Sequence, residues 1–248
     1  VPLIHMRCIR LHVDAVLTPG VELALPIAAS EHATRVLRLR PGDALTLFNG
    51  DGHDYAARLL DAARGGARVR ILERMTPAAA ESPLRLTLVQ GIARAEKMDW
   101  ILQKATELGV AGIAPVLTVR TEVRLDAQRG EKRIAHWRGV IASACEQCGR
   151  ARLPHLLLPQ SLAAWLRTRE PDAALFTLDP QATLRIRDLP ALSAAQLVIG
   201  PEGGLDAADL LMLRAAGARG LALGPRVLRT ETAGLAALAM LQSHLGDA

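Results

Sequence analysis

Aromatic residues are scarce in this chain: Phe48, Tyr55, Trp100, Trp137, Trp165 and Phe176 are the six among 248 residues. They are too dispersed to build a base-stacking platform of the kind that RRM and OB surfaces present. Cysteine is nearly as rare. Cys8, Cys145 and Cys148 cannot supply a tetrahedral zinc site, and one C-x-x-C without a second pair is weak. That pair sits inside the helical run HWRGVIASACEQCGR, not at a helix start, so it reads as small core residues and not as a redox centre. His5, His12, His53, His136, His155 and His244 show no paired ligand spacing, and no metal site is expected.

Long apolar runs are also lacking. Nothing approaches the roughly 18 consecutive apolar residues that cross a bilayer, and no basic segment followed by an apolar signal core opens the chain. A soluble, cytoplasmic protein without a membrane partner is expected. Val1–His5 precede Met6, which reads as a natural start, so those first residues carry no weight. Neither a GK[ST] phosphate loop nor a full G-x-G-x-x-G fingerprint occurs, which argues against nucleotide-phosphate binding and a dinucleotide-dependent oxidoreductase.

What the chain does contain is apolar and basic. Half of its residues are hydrophobic, enough for one or two domains with real cores. Thirty basic residues against 25 acidic give a net charge of +5, which favours a polyanionic partner. Three of the basic residues are lysine, namely Lys97, Lys104 and Lys132. Arginine suits bidentate phosphate contacts, and a GC-rich genome gives the same bias.

The stretch TPAAAESP, residues 76–83, separates two segments of different periodicity and reads as a linker. Before it, ALTLFN (44–49) and ARVRILERM (67–75) alternate as strands do, and NGDGHD offers a hairpin turn. A small barrel is expected over residues 6–75. HATRVLRLR carries leucines and valine at helical spacing, with His32, Arg35, Arg38 and Arg40 beside them.

After the linker, strand-like LRLTLVQGI (84–92) precedes a helix over about 97–108 that Gly109 ends. A strand around IAPVLTV, a helix over about 129–149, and the strands AALFTL (173–178) and QLVIG (196–200) follow. Strands alternating with helices imply a parallel sheet over residues 84–248. Asp206 and Asp209 stand at N-cap and N3 spacing for a further helix, with Leu205 and Leu210 placed as a staple. The final helix, from near Thr230, is apolar on almost every side and must be buried or lie at a subunit interface, so a homodimer is expected.

The candidate site lies in the last fifth. LVIGPEGGL (197–205) and LALGPRVLRTETAGLAAL (221–238) each leave an apolar strand through a glycine-punctuated loop and enter a helix. Glycine lets backbone N–H and C=O groups approach a ligand closely, and Glu202, Arg226, Arg229 and Glu231 stand beside those glycines.

Taken with HATRVLRLRPGD (32–43), EKMDWILQKATELGVAGIAPVLTVRT (96–121) and ACEQCGR (144–150), the motifs IGPEGG (199–204) and LGPRVLRTETA (223–233) carry a resemblance along nearly the whole chain, in order. The sequence resembles the RsmE-type 16S rRNA uracil-N3 methyltransferases of the SPOUT superfamily. The resemblance implies an α/β fold, a SPOUT-type knotted parallel sheet with flanking helices, behind a small PUA-like β-barrel RNA-binding domain. It also implies S-adenosylmethionine as cofactor, 16S rRNA or the small ribosomal subunit as partner, and a cofactor bound in the knot loops at a dimer interface. On this sequence the cofactor residues map to Leu178, Ile199, Gly200, Pro201, Glu202, Gly203, Gly204, Leu223, Gly224, Val227, Leu228, Thr230 and Thr232.

Methylation of uridine N3 requires loss of a weakly acidic proton, and a cation near the ring carbonyls stabilises the developing anion. Arg229 is the leading candidate. Arg226 serves the same site or binds phosphate, and Glu231 either accepts the proton or holds Arg229 through an ion pair. RNA contacts are expected at His32, Arg35, Arg38, Arg94, Lys97, Arg120 and Arg150. The alternative is a non-catalytic ribosome-assembly factor that keeps the fold; it would predict erosion of GPEGG or LRTETA, and both are intact.

Overall fold

The computed structural model describes residues 9–63, 66–123 and 127–248; the expected start at Met6, with His5 and Cys8, lies outside the described residues. The chain forms two compact units. One holds the residues up to Glu81 together with Ala142–Leu153, and the other holds Ser82–Ile141 and Pro154–Ala248. A single division at 76–83 would leave residues 142–153 with the second unit. They pack with the first because the Arg150 guanidinium pairs with Glu81 at 2.5 Å and Glu146 accepts the backbone N–H of His12 at 2.9 Å.

The first unit is built on one five-stranded sheet. Its strands are β1 (Arg10–His12), β2 (Glu22–Ala24), β3 (Ala44–Phe48), β4 (Asp54–Ala63) and β5 (Gly66–Met75), in the order β1-β3-β4-β5-β2. β3, β4 and β5 form an antiparallel meander, β2 joins β5 antiparallel, and β1 runs parallel to β3. Alternation sets the faces: Ala67, Val69 and Ile71 of β5 are buried while Arg68 and Arg70 are exposed, as the two-residue period of a strand requires.

Helix α1 (Ile27–Glu31) continues into a π-helical turn over His32–Val36, so HATRVLRLR is helical only in its first half. Leu39 is buried beyond it, and Arg38 takes the left-handed region at φ 56°, uncommon for a residue other than glycine.

The second unit is a doubly covered parallel sheet. Its elements are β6 (Arg85–Gly91), α2 (Ala95–Glu107), β7 (Gly112–Leu117), α3 (Ala127–Cys148), β8 (His155–Leu156), β9 (Gln160–Ser161) and α4 (Leu162–Thr168). Then follow β10 (Ala174–Leu178), β11 (Ala194–Ile199), α5 (Ala207–Ala215), β12 (Arg219–Leu221) and α6 (Thr230–Leu245). The last turns of α3 belong to the first unit. Strand order is β12-β10-β11-β6-β7-β8, with β9 also on β7, and every pairing is parallel. β11 is buried at every position, as a strand covered on both faces must be.

Because the strands are parallel, their C-terminal ends open on one edge, where α/β proteins place ligands. Two features fix the helices that border this edge. The Asp206 carboxylate accepts the N–H of Asp209 at 2.8 Å and Asp209 returns the bond at 3.2 Å, so the expected cap of α5 is present as a reciprocal box. On α6, Gly234, Ala237, Leu238 and Leu241 are buried, and a side chain on Gly234 would meet Ile199 at 3.4 Å and Leu88 at 3.6 Å. The far end of α6 is tied by Gln242, whose Nε2 donates to the carbonyl of Leu108 at 3.0 Å.

Cys145 and Cys148 are free thiols within α3, and burial pushes the Cys145 thiol up to about 12. No described helix is long and apolar enough to cross a membrane.

Candidate active site

Three loops leave the C-terminal edge of the sheet and enclose a cleft. They are the segment after β11 from Gly200 to Leu205, the segment after β10 from Leu178 to Gln181, and the approach to α6 from Val227 to Arg229. The cavity measures about 590 Å³, within the range of small-molecule sites. An adjoining hollow of about 150 Å³ is lined by Leu178, Leu223, Gly224 and Arg226 among others.

The backbone itself forms much of the wall. A Cβ on Gly200 would lie 2.7 Å from the carbonyl carbon of Gly204 and 2.8 Å from the nitrogen of Leu205. One on Gly91, at the end of β6, would lie 2.5 Å from Pro201. Only glycine permits this stacking of chain on chain.

A buried amide holds the loops together. Gln90 on β6 is fully buried; its Nε2 donates to the Gly91 carbonyl at 2.9 Å and to Thr230 Oγ1 at 3.0 Å. The Thr230 hydroxyl in turn donates to the Gly200 carbonyl at 2.6 Å. Thr230 therefore spends its donor on the neighbouring loop and fixes the start of α6 against it.

A second link is ionic. Lys97 Nζ lies 3.6 Å from Glu202 Oε1 and 3.5 Å from Glu231 Oε2, joining α2 to the loop after β11 and to the first turn of α6. The backbone N–H of Arg94 donates to Glu202 Oε1 at 3.1 Å while its guanidinium pairs with Glu122, and Arg120 donates to the Gly203 carbonyl at 2.9 Å. Burial pushes the Glu202 carboxyl up, but the Arg94 N–H and the charges of Lys97 and Arg94 outweigh it and hold Glu202 below the usual carboxylate range.

Arg94, Lys97 and Arg120, three of the expected RNA contacts, thus brace the GPEGG loop. Arg150 is a correction. It is 5 % exposed and paired with Glu81, so its guanidinium is turned inward and not presented to a polyanion. His32 is half-buried, while Arg35 and Arg38 are exposed, Arg35 pairing with Glu31 at 2.9 Å.

Of the expected cofactor residues, Thr232 stands apart: it is exposed and absent from both cavity walls, whereas the other twelve line them. Arg226 and Arg229 are exposed, and neither guanidinium has an ion pair or hydrogen bond among the described residues. Glu231 pairs with Lys97 and not with Arg229. The residue that sequence reasoning missed most clearly is Thr177, which lines the cavity and whose buried hydroxyl has no hydrogen-bond partner among the described residues. No glycine motif marks it, because it belongs to the strand and not to the loop.

Comparison with known proteins decides the family. Residues 80–242 match the model of an RNA methyltransferase domain, and residues 28–72 match that of an RNA methyltransferase PUA domain. The chain belongs to the RNA methyltransferase family.

Among its relatives, the ribosomal RNA small subunit methyltransferase E of Mycobacterium bovis is 34% identical over 94% of this chain and 90% of its own. The enzyme of that name from Neisseria gonorrhoeae, solved bound to S-adenosyl methionine, is 36% identical, with a TM-score of 0.92 over 97% of this chain and 99% of its own. A Legionella pneumophila methyltransferase solved with SAM is 37% identical, with a TM-score of 0.93 over 98% and 100%. The fold class of this RNA methyltransferase is the one expected from its sequence, a SPOUT-type α/β sheet with a PUA-like domain before it.

Proposed function

We propose that this RNA methyltransferase transfers a methyl group from S-adenosylmethionine to N3 of one uridine in small-subunit ribosomal RNA. The observation that carries the reading is the glycine-walled cleft with Arg229 in its lining, a guanidinium unpaired among the described residues. The Neisseria gonorrhoeae relative, which carries the small-subunit rRNA methyltransferase name and was solved with this cofactor, supports it, as does the Mycobacterium bovis relative of the same name.

The residues present fit such a cofactor. Gly200 to Gly204 and Leu223 to Leu228 offer backbone donors and acceptors at close approach, Leu178 and Ile199 give apolar wall, and Thr177 contributes a hydroxyl without a hydrogen-bond partner among the described residues. When bound, S-adenosylmethionine supplies a methyl group on a positively charged sulfur. The chain's task is then to orient the uracil and to accommodate loss of its N3 proton.

Arg229, at the N-cap position of α6, is the group that stabilises charge on the ring carbonyls as that proton leaves. Glu231, two residues along α6 from Arg229, is the carboxylate suited to take the proton; Lys97 lies 3.5 Å from its Oε2, which makes no hydrogen bond among the described residues. Arg226 offers a further cation for a backbone phosphate. Glu202, engaged by Lys97 and the Arg94 N–H, keeps the cofactor loop closed and takes no part in proton transfer.

In the same reading, residues 6–75 contribute RNA binding through Arg35, Arg38 and His32, and residues 84–248 carry catalysis. The enzyme works in the cytoplasm as a homodimer, consistent with Val227 at 86 % and Met240 at 43 % exposure.

The test is methyl transfer from labelled S-adenosylmethionine to small subunits and to naked small-subunit rRNA from cells lacking the modification, with the product mapped by nuclease digestion and mass spectrometry. N3-methyluridine at one position is expected. Another methylated nucleotide overturns the target, and cofactor binding with no transfer to either substrate favours the assembly-factor reading.

A further inference from the structure

Arg229 stands where local energetics would not put it. It is the N-cap residue of α6, and its side chain makes no capping hydrogen bond. Preferred N-caps are short side chains whose oxygen accepts a helix N–H, and a cation there opposes the positive end of the helix dipole. Something other than its own cap has to hold the start of α6.

Thr230, the next residue, supplies that hold. It is 8 % exposed, and its hydroxyl donates across to the GPEGG loop, to the Gly200 carbonyl at 2.6 Å. The direction of this bond is set from the other side. Gln90 Nε2 faces the Gly91 and Gly200 carbonyls at 2.9 Å and 3.5 Å, which can only accept. The same amide nitrogen therefore donates to Thr230 Oγ1 at 3.0 Å, and the Thr230 proton is left for Gly200. On the helix side, the Arg229 carbonyl accepts the N–H groups of Thr232 at 2.9 Å and Ala233 at 2.7 Å. The backbone at 229–230 is thus fixed from β6, from the GPEGG loop and from α6, while the Arg229 side chain is exposed and lines the cleft.

We infer that Thr230 is a positioning residue for methyl transfer: its hydroxyl, bonded to Gly200 and Gln90, sets the point from which Arg229 reaches the uracil. The inference rests on the role given to Arg229 above, and it assigns Thr230 no contact with the reacting atoms. A helix start that slides carries the guanidinium with it, and misplacement by about 1 Å costs on the order of a hundredfold in rate.

A double-mutant cycle tests it. The readout is single-turnover methyl transfer to unmodified small subunits at saturating S-adenosylmethionine, with affinity for S-adenosylhomocysteine measured alongside. Thr230→Val keeps the shape and removes both hydrogen bonds, so it should slow transfer by about tenfold or more when Arg229 is present. In the Arg229→Ala background the same change should cost less than about twofold, because a residue that acts through Arg229 has nothing left to position. Thr230→Ser restores the hydroxyl and should stay within about threefold of wild type. Where the valine variant does not fold, Thr230→Ala makes the same deletion with less bulk. An equal loss in both backgrounds, a loss confined to subsaturating cofactor, or a serine variant as slow as the valine one overturns the positioning role. A wild-type protein without transfer, or an Arg229→Ala variant as fast as wild type, overturns the reading of the site and the inference with it.

Discussion

The ammonium of Lys97, in the first turn of α2, stands 3.5 Å from the Glu231 carboxylate in the first turn of α6. At 3.6 Å it also meets Glu202, so one cation joins the GPEGG loop to the start of α6. Lys97→Met should therefore weaken cofactor binding by about fivefold, the effect of a partly exposed ion pair worth ~1 kcal/mol. Lys97→Arg should retain most of the affinity. Calorimetric titration with S-adenosylhomocysteine checks both, and an unaltered Lys97→Met variant would show that the bridge does not position the loops.

The same bridge has a pH dependence. Glu202 is held below its usual value of 4.5, so the folded state binds this proton less readily than the unfolded chain does. The resulting stability is fully present above pH 4.5 and is lost as pH falls through the lowered value. Glu202→Gln should flatten that part of the stability curve, measured as urea midpoints between about pH 3 and pH 6.

Gln90 tests the buried link. Gln90→Leu removes the donor to Thr230 and Gly91 within a fully enclosed site, and should destabilise the fold by about 1–3 kcal/mol. Gln90→Glu should cost more, because it places a carboxylate beside the carbonyl oxygen of Gly91 in that dry setting. Urea unfolding measures both; a shift below about 0.5 kcal/mol for Gln90→Leu would contradict the role.

Cys145 supplies a chemical prediction. With its thiol pushed up to about 12 by burial, it should resist alkylation at pH 8 in the folded protein and react once urea unfolds it. Above its usual value of 9.0 the unfolded chain ionises while the folded chain does not, so stability falls as pH rises through that interval. Peptide mapping after iodoacetamide treatment reads the first effect directly.

Much of this arrangement is legible in the sequence because it is local. The Asp206 and Asp209 cap, the helix from Ala95 and the strands ending at Leu178 and Ile199 follow from spacing within a dozen residues. The glycine loops announce the cleft for the same reason. Other features depend on distant partners. Arg150 looks like a surface cation until Glu81, 69 residues away, is brought to it. The ion pairs of Lys97 with Glu202 and Glu231 are likewise made by the fold and invisible to local spacing. HATRVLRLR has helical spacing, but spacing does not register the π-turn at His32–Val36 or the left-handed Arg38 that ends it. Thr177 is silent in sequence because an unsatisfied hydroxyl is defined only by what fails to surround it.

Arg229 carries the central claim, since its guanidinium is exposed, lines the cleft and has no partner among the described residues. The most direct measurement is the single-turnover rate of methyl transfer to unmodified small subunits by the wild-type protein and by Arg229→Ala, alongside cofactor affinity and thermal melting. The account predicts a rate lower by about a hundredfold or more, as for loss of a charge-stabilising group, with affinity and melting little altered. A variant that transfers methyl at the wild-type rate would contradict it.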